Sequence, residues 1–243
     1  TAPASGAPAP EVVERALGNA YALGKLQELC DTVGPRLTGS PGMQRAIAWS
    51  QQAMREAGLD SVWTEPVTTL GWVRGSESIH LVEPFAAELE MSGLGLSVGT
   101  GGQPLEAEVV AFRDFEEMES RAAEVAGKIV LFDPPWEGYG PNVQYRTHGA
   151  SRAAAHGAVA CLIRSVTDNS LGTPQTGRMW YDEDQPRIPA AALTVEDAAW
   201  LHRLCRAGHR PRVRLTMEAE RLGEIICHNV VGELHGSERP EEI

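Results

Sequence analysis

Apolar positions recur at helical spacing through residues 11–33, where Val13, Leu17, Ala20, Leu23, Leu26, Leu29 and Cys30 predict one helix face. A second helix is predicted after Ser40. Its hydroxyl suits the N-cap, Pro41 costs nothing at the first helical position, and Gly58 ends the series Ala46, Ile47, Ala53, Met54 and Ala57. Residues 62–69 and 71–82 are rich in β-branched and aromatic side chains and predict extended segments.

Past Phe85 the texture changes. Gly93, Gly95, Gly99, Gly101 and Gly102 lie close together and predict loops and tight turns. Strand then alternates with helix. Residues 108–112 predict a strand, Asp114 caps a helix through Ala126, and residues 128–132 form a short continuous apolar strand. An Ala-rich helix is predicted over about 145–156 and a buried strand over 158–163. Thr194 with Asp197 resembles a capping box for a helix ending at Gly208. Val213, Leu215, Met217 and Ala219 alternate with polar residues, as in a half-exposed strand, and 229–234 predict a last strand before a turn at 236–240. The pattern is α/β, in two parts, with the middle part an insertion.

Composition narrows the function. The 243 residues are 42% hydrophobic and 22% charged, with a net charge of -12 that disfavours a nucleic-acid partner. No apolar run reaches the roughly 20 residues of a membrane helix. Of the 21 basic residues only Lys25 and Lys128 are lysine, which with abundant Ala and Gly suggests a GC-rich bacterial source. Cys30, Cys161, Cys205 and Cys227 show no zinc-knuckle spacing and assign no disulfide. Cys161 reads as a buried, inert thiol.

Catalytic constellations are absent from the pattern. There is no HExxH, no GxSxG and no GxxxxGK[ST]. The run from Gly93 to Gly99 is one residue off a dinucleotide fingerprint and follows no strongly apolar strand. His202 and His209 read as solvated or capping groups, and Glu116 and Glu117 as the exposed face of a short helix, placed well for its dipole. Arg164, Ser165, Gln175, Thr176 and Gly177 flank a polar loop after the buried strand, where binding groups are common.

Several stretches, taken in order, resemble a known family. Asp31-Thr32-Val33-Gly34-Pro35-Arg36-Leu37-Thr38-Gly39-Ser40-Pro41 is similar to the N-terminal signature of di-zinc exopeptidases of the carboxypeptidase Q type. Trp72-Val73-Arg74-Gly75, Leu96-Ser97-Val98-Gly99-Thr100, Pro174-Gln175-Thr176-Gly177, Ile188-Pro189-Ala190-Ala191 and Asn229-Val230-Val231-Gly232-Glu233-Leu234 follow in the family's order. Gln175 stands where the family pattern has His.

The resemblance implies an incomplete zinc-exopeptidase domain interrupted by a protease-associated α/β insert. Its expected divisions are a flexible segment at 1–10, peptidase-domain residues 11–85, the insert at 86–217 and a returning strand at 218–243. It further implies a secreted or periplasmic enzyme in which two zinc ions hydrolyse dipeptides or short peptides. The metal-binding His-x-Asp is expected beyond Ile243, so no residue here inherits a catalytic or metal-ligand role and this chain alone is expected to be inactive. The chain is then an N-terminal portion whose partner is the remainder of the peptidase domain, and whose helices expose apolar surface without it. The loop of Arg164, Ser165, Gln175, Thr176 and Gly177 is expected at the lip of the substrate cleft. The alternative is a non-catalytic protease-associated module that binds a peptide or a partner protein.

Overall fold

Residues 10–169 and 171–237 are described by the computed structural model, and their contacts form two compact units. One comprises residues up to Thr69 together with those from Glu224; the other is Leu70–Gly223. Of the expected flexible segment at 1–10, residues 1–9 lie outside the described residues, as does the end of the expected turn from 238, and Pro10 instead opens a helix.

In the first unit the predicted single helix over 11–33 is broken. It consists of α1 (Pro10–Leu17), α2 (Tyr21–Glu28) and a wide turn at Leu29–Val33. Gly18 and Asn19 interrupt it, and the Asn19 side chain accepts from the Tyr21 amide at 2.7 Å. Leu17, Leu23 and Leu26 are exposed. Helix α3 (Pro41–Glu56) starts as expected, with the Ser40 hydroxyl accepting from the Met43 amide at 3.2 Å. Strand β1 (Ser61–Val73) pairs with β10 (Glu220–Glu233), and the chain leaves and re-enters this unit within those two strands.

The second unit is built on one sheet. Its strands are β2 (Glu77–Glu83), β3 (Ala87–Leu89), β4 (Met91–Gly93), β5 (Leu105–Phe112), β6 (Ile129–Phe132), β7 (Ala160–Arg164), β8 (Ala190–Leu193) and β9 (Arg212–Met217). They lie in the order β3-β2-β9-β5-β6-β7-β8-β4. Strands β5 to β8 run parallel, and the other pairings are antiparallel. The two end strands, β3 and β4, are separated in sequence by Glu90 alone. One short stretch therefore serves both ends, and the sheet rolls round until they meet, leaving no long edge unpaired.

The parallel strands are apolar throughout because both faces are covered. Val109, Ala111, Ile129, Leu131, Ala160 and Leu162 face Ala198 and Leu201 of α6 (Val195–Arg206). The intervening Val110, Phe112, Val130, Phe132, Cys161 and Ile163 face α4 (Phe115–Ser120) and α5 (Tyr139–Ala155).

Several boundaries differ from expectation. The extended run 71–82 is interrupted at Gly75, whose positive φ of 65° breaks the strand between β1 and β2. Helix α5 begins at Tyr139, ahead of its Ala-rich stretch, since Pro141 is tolerated in the first turn. The helix expected through Ala126 ends at Ser120 and continues as a tighter turn over Ala122–Glu124. At α6, Thr194 accepts from the Asp197 amide at 3.0 Å, but the Asp197 carboxylate accepts from Glu90 at 2.8 Å instead of closing the box. All four cysteines are free. Asp114 caps α4, accepting from the Glu117 amide at 2.7 Å. Asp114→Ala should lower unfolding free energy by about 1 kcal/mol, read from the urea midpoint.

Candidate functional site

The five residues expected at a cleft lip divide into two groups. Ser165 is fully buried; its hydroxyl donates to the Leu193 carbonyl at 2.5 Å and accepts from the Gln175 amide at 2.7 Å. Thr176 donates to the Gly93 carbonyl at 2.8 Å, and the Gly177 carbonyl accepts from the Gly95 amide at 2.9 Å. A Cβ on Gly177 would stand 2.7 Å from the Arg146 guanidinium. The Gln175 side chain is exposed. Ser165, Gln175, Thr176 and Gly177 thus form one tied-down loop, while Arg164 donates through Nη1 to the Ser165 carbonyl at 3.2 Å and turns its Nε toward Asp133.

The motif residues converge on the same strand end. Arg74 donates to the Gly93 carbonyl at 2.7 Å and to Ser92 at 2.7 Å, and Glu77 accepts from the Gly93 amide at 2.9 Å. Trp72 donates its indole N–H to the Ser97 carbonyl at 2.8 Å, and the Ser97 hydroxyl accepts from the Ala190 amide at 2.8 Å. Tyr181 donates to the Ile188 carbonyl at 2.6 Å, and burial pushes its phenol above its usual range. Glycine is needed at 99, where a Cβ would meet the Met217 carbonyl at 2.5 Å. The run 93–99 is therefore a framing element that satisfies buried backbone groups.

A second constellation lies at the carboxyl ends of β5, β6 and β7. Continuing each strand's alternation places Arg113, Asp133 and Arg164 on the α6 face. Asp133 is 3% exposed, and its Oδ2 lies 2.8 Å from His202 Nδ1 and 3.1 Å from Arg113 Nη1. Arg164 Nε lies 3.8 Å from Oδ1. Burial holds the Arg164 guanidinium below its usual range, and Asp133 opposes that effect. His202 is itself 3% exposed, so it is not the solvated or capping group its isolation in sequence suggests. The available signal was the helical spacing that sets His202 on one face with Ala198, Leu201 and Cys205 along α6. Burial pushes the Cys205 thiol up to about 11, and that of Cys161 higher still, leaving neither as a ready nucleophile at neutral pH.

Among the described residues no three His, Cys, Asp or Glu side chains gather as a metal site. The buried pair of His202 and Asp133 is flanked by the guanidiniums of Arg113 and Arg164, a donor set that does not fit zinc. Among the same residues no helix is long and apolar enough to cross a membrane.

Comparisons with known proteins agree with this architecture. Residues 101–201 match the PA domain family. The chain is 42% identical to Carboxypeptidase Q of Xenopus laevis over 219 residues, covering 90% of this chain and 47% of that protein. A peptidase M28 precursor from Shewanella amazonensis superposes with a TM-score of 0.86 at 31% identity, over 93% of this chain and 53% of that one. A zinc aminopeptidase from Bacillus subtilis shares the fold, with a TM-score of 0.59 at 18% identity over 90% and 47% of the two chains. The chain spans about half the length of the curated relatives it matches. With the motif residues converging on one strand end, these likenesses show that the chain belongs to the carboxypeptidase Q type of exopeptidases and carries their PA domain.

Proposed function

We propose that the chain is the N-terminal part of a secreted or periplasmic zinc exopeptidase that hydrolyses dipeptides or short peptides. The observation that carries this reading is the 42% identity to Carboxypeptidase Q, extending over 90% of the chain. In this reading the insert spans 86–217 and lends one wall to the substrate cleft, with Gln175, Thr176 and Gly177 at its lip and Arg164 and Ser165 bracing it. Two zinc ions, held by residues outside this chain, supply the activated water and polarise the scissile carbonyl. The remainder of the peptidase domain covers apolar groups such as Leu17, Leu23 and Leu26, which are exposed in the first unit. The chain by itself is inactive.

The test uses the complete protein. Dipeptide hydrolysis should disappear on chelation, return with zinc, and be absent from the 243-residue chain. Hydrolysis by the short chain, or a zinc-loaded complete protein inert toward every dipeptide tried, would overturn the reading; the latter result would leave a binding module. Thr176→Val removes the bond that fixes the lip to Gly93. It should lower kcat/KM for dipeptides by about tenfold with unchanged zinc content. An unchanged kcat/KM would remove the loop from the cleft.

A further inference from the structure

The sheet's carboxyl end holds a cavity that the peptidase reading does not use. It encloses about 230 Å³ and is lined by Arg113, Glu117, Arg121, His202, Cys205 and Arg206, with Ala111 at its wall. The position, beyond the carboxyl ends of parallel strands, is one at which α/β sheets commonly receive ligands. Three guanidiniums and an imidazole face it in a chain whose net charge is -12.

Its chemistry is set by which donors are already engaged. Asp133 takes His202 Nδ1, which fixes the ring and leaves Nε2 without a hydrogen-bond partner among the described residues, in a side chain that is 3% exposed. Arg113 bonds Asp133 through Nη1 only, leaving Nε and Nη2 free to donate. Arg206 forms no ion pair among the described residues. Arg121 is held by Glu117 at 2.7 Å and Glu124 at 2.8 Å, and contributes charge to the wall. Glu117, the acidic group lining the cavity, already accepts on both oxygens, from Arg121 and from the Arg113 amide at 2.6 Å.

We propose that this cavity binds a tetrahedral oxyanion, as inorganic phosphate or a phosphomonoester. The free donors come from the end of β5 and from α6, and the engaged Arg121 guanidinium, in the turn after α4, adds positive charge on a third side. That spread suits an anion with oxygens on several sides better than a flat carboxylate. His202 Nε2 donates as imidazolium or accepts from a protonated phosphate oxygen, so the dyad serves either ionisation state. The site is independent of the peptidase reading and stands or falls without it.

The test is calorimetric titration of the 243-residue chain, free of metal and in a phosphate-free buffer, with inorganic phosphate and with phenyl phosphate. One saturable site is expected, accompanied by a shift of the His202 Nε2 resonance in nitrogen-15 spectra. Arg206→Gln, at an exposed helix end where folding is not at risk, should weaken it about tenfold, and His202→Gln at least as much. Tight binding of phenyl phosphate identifies a phosphomonoester; binding of inorganic phosphate alone identifies the free ion. The proposal fails if no site saturates, if acetate binds equally well, or if Arg206→Gln and the remote Arg214→Gln weaken binding to the same degree.

Discussion

Replacing Asp133 by alanine is expected to cost the second unit about 3–5 kcal/mol, because it leaves buried cationic groups without their anion. The carboxylate is 3% exposed and is the shared partner of His202, Arg113 and Arg164. His202 can answer by staying neutral, but the guanidiniums cannot shed their protons. The Arg113 side chain is 45% exposed and can turn to water; that of Arg164, 10% exposed, cannot do so without breaking its place on β7. Arg164 should therefore carry most of the cost. Asp133→Asn keeps an acceptor for the imidazole N–H but no charge, and should fall between wild type and Asp133→Ala. In the double variant Asp133→Ala/Arg164→Met the losses should be well below additive, since the second change removes the orphaned charge. A urea-unfolding loss under about 1 kcal/mol for Asp133→Ala would mean that the cluster is hydrated and contributes little.

The same cluster shows how much of the molecule was legible in sequence. The apolar runs at 129–132 and 160–163 are read directly as buried strands, and strand alternation then places Arg113, Asp133 and Arg164 on one face. What alternation cannot supply is which helix covers that face, so His202 looks isolated in sequence until its own helix, α6, is placed over those strand ends. The closure of the sheet was illegible for another reason. Strands β3 and β4 have three residues each, too few to show a period, and they are fixed by pairing with distant β2 and β8. The glycine-rich run was legible as loop but not as frame. Gly99 is required by the close approach of the Met217 carbonyl, which lies more than a hundred residues away in sequence. The family motifs were the most legible feature. Trp72, Arg74, Thr176 and Ser97 spend their polar groups on backbone, which explains why these side chains carry a recognisable fold without carrying chemistry.

Phe132→Ala is expected to cost about 3–5 kcal/mol, comparable to the loss at Asp133 by a different mechanism. The ring is fully buried, edge-on to Phe115 at 5.0 Å between centroids, with Tyr145 at 5.6 Å and Phe112 at 6.4 Å. These neighbours sit on β5, α4 and α5, so no single shift closes the void. Gly149 on α5 makes the assignment testable. Its Cβ would stand 3.2 Å from two Phe132 ring carbons and 3.4 Å from Cys161 Sγ. In the parent, Gly149→Ala gains roughly 1 kcal/mol of helix propensity but crowds the ring, and should be neutral or destabilising. With alanine at 132 the crowding from the ring is gone, and Gly149→Ala should recover about 1 kcal/mol of the loss. The two substitutions must therefore couple favourably in a double-mutant cycle. Additivity within about 0.3 kcal/mol would show that α5 is not held against β6 by the fit of this glycine to this ring.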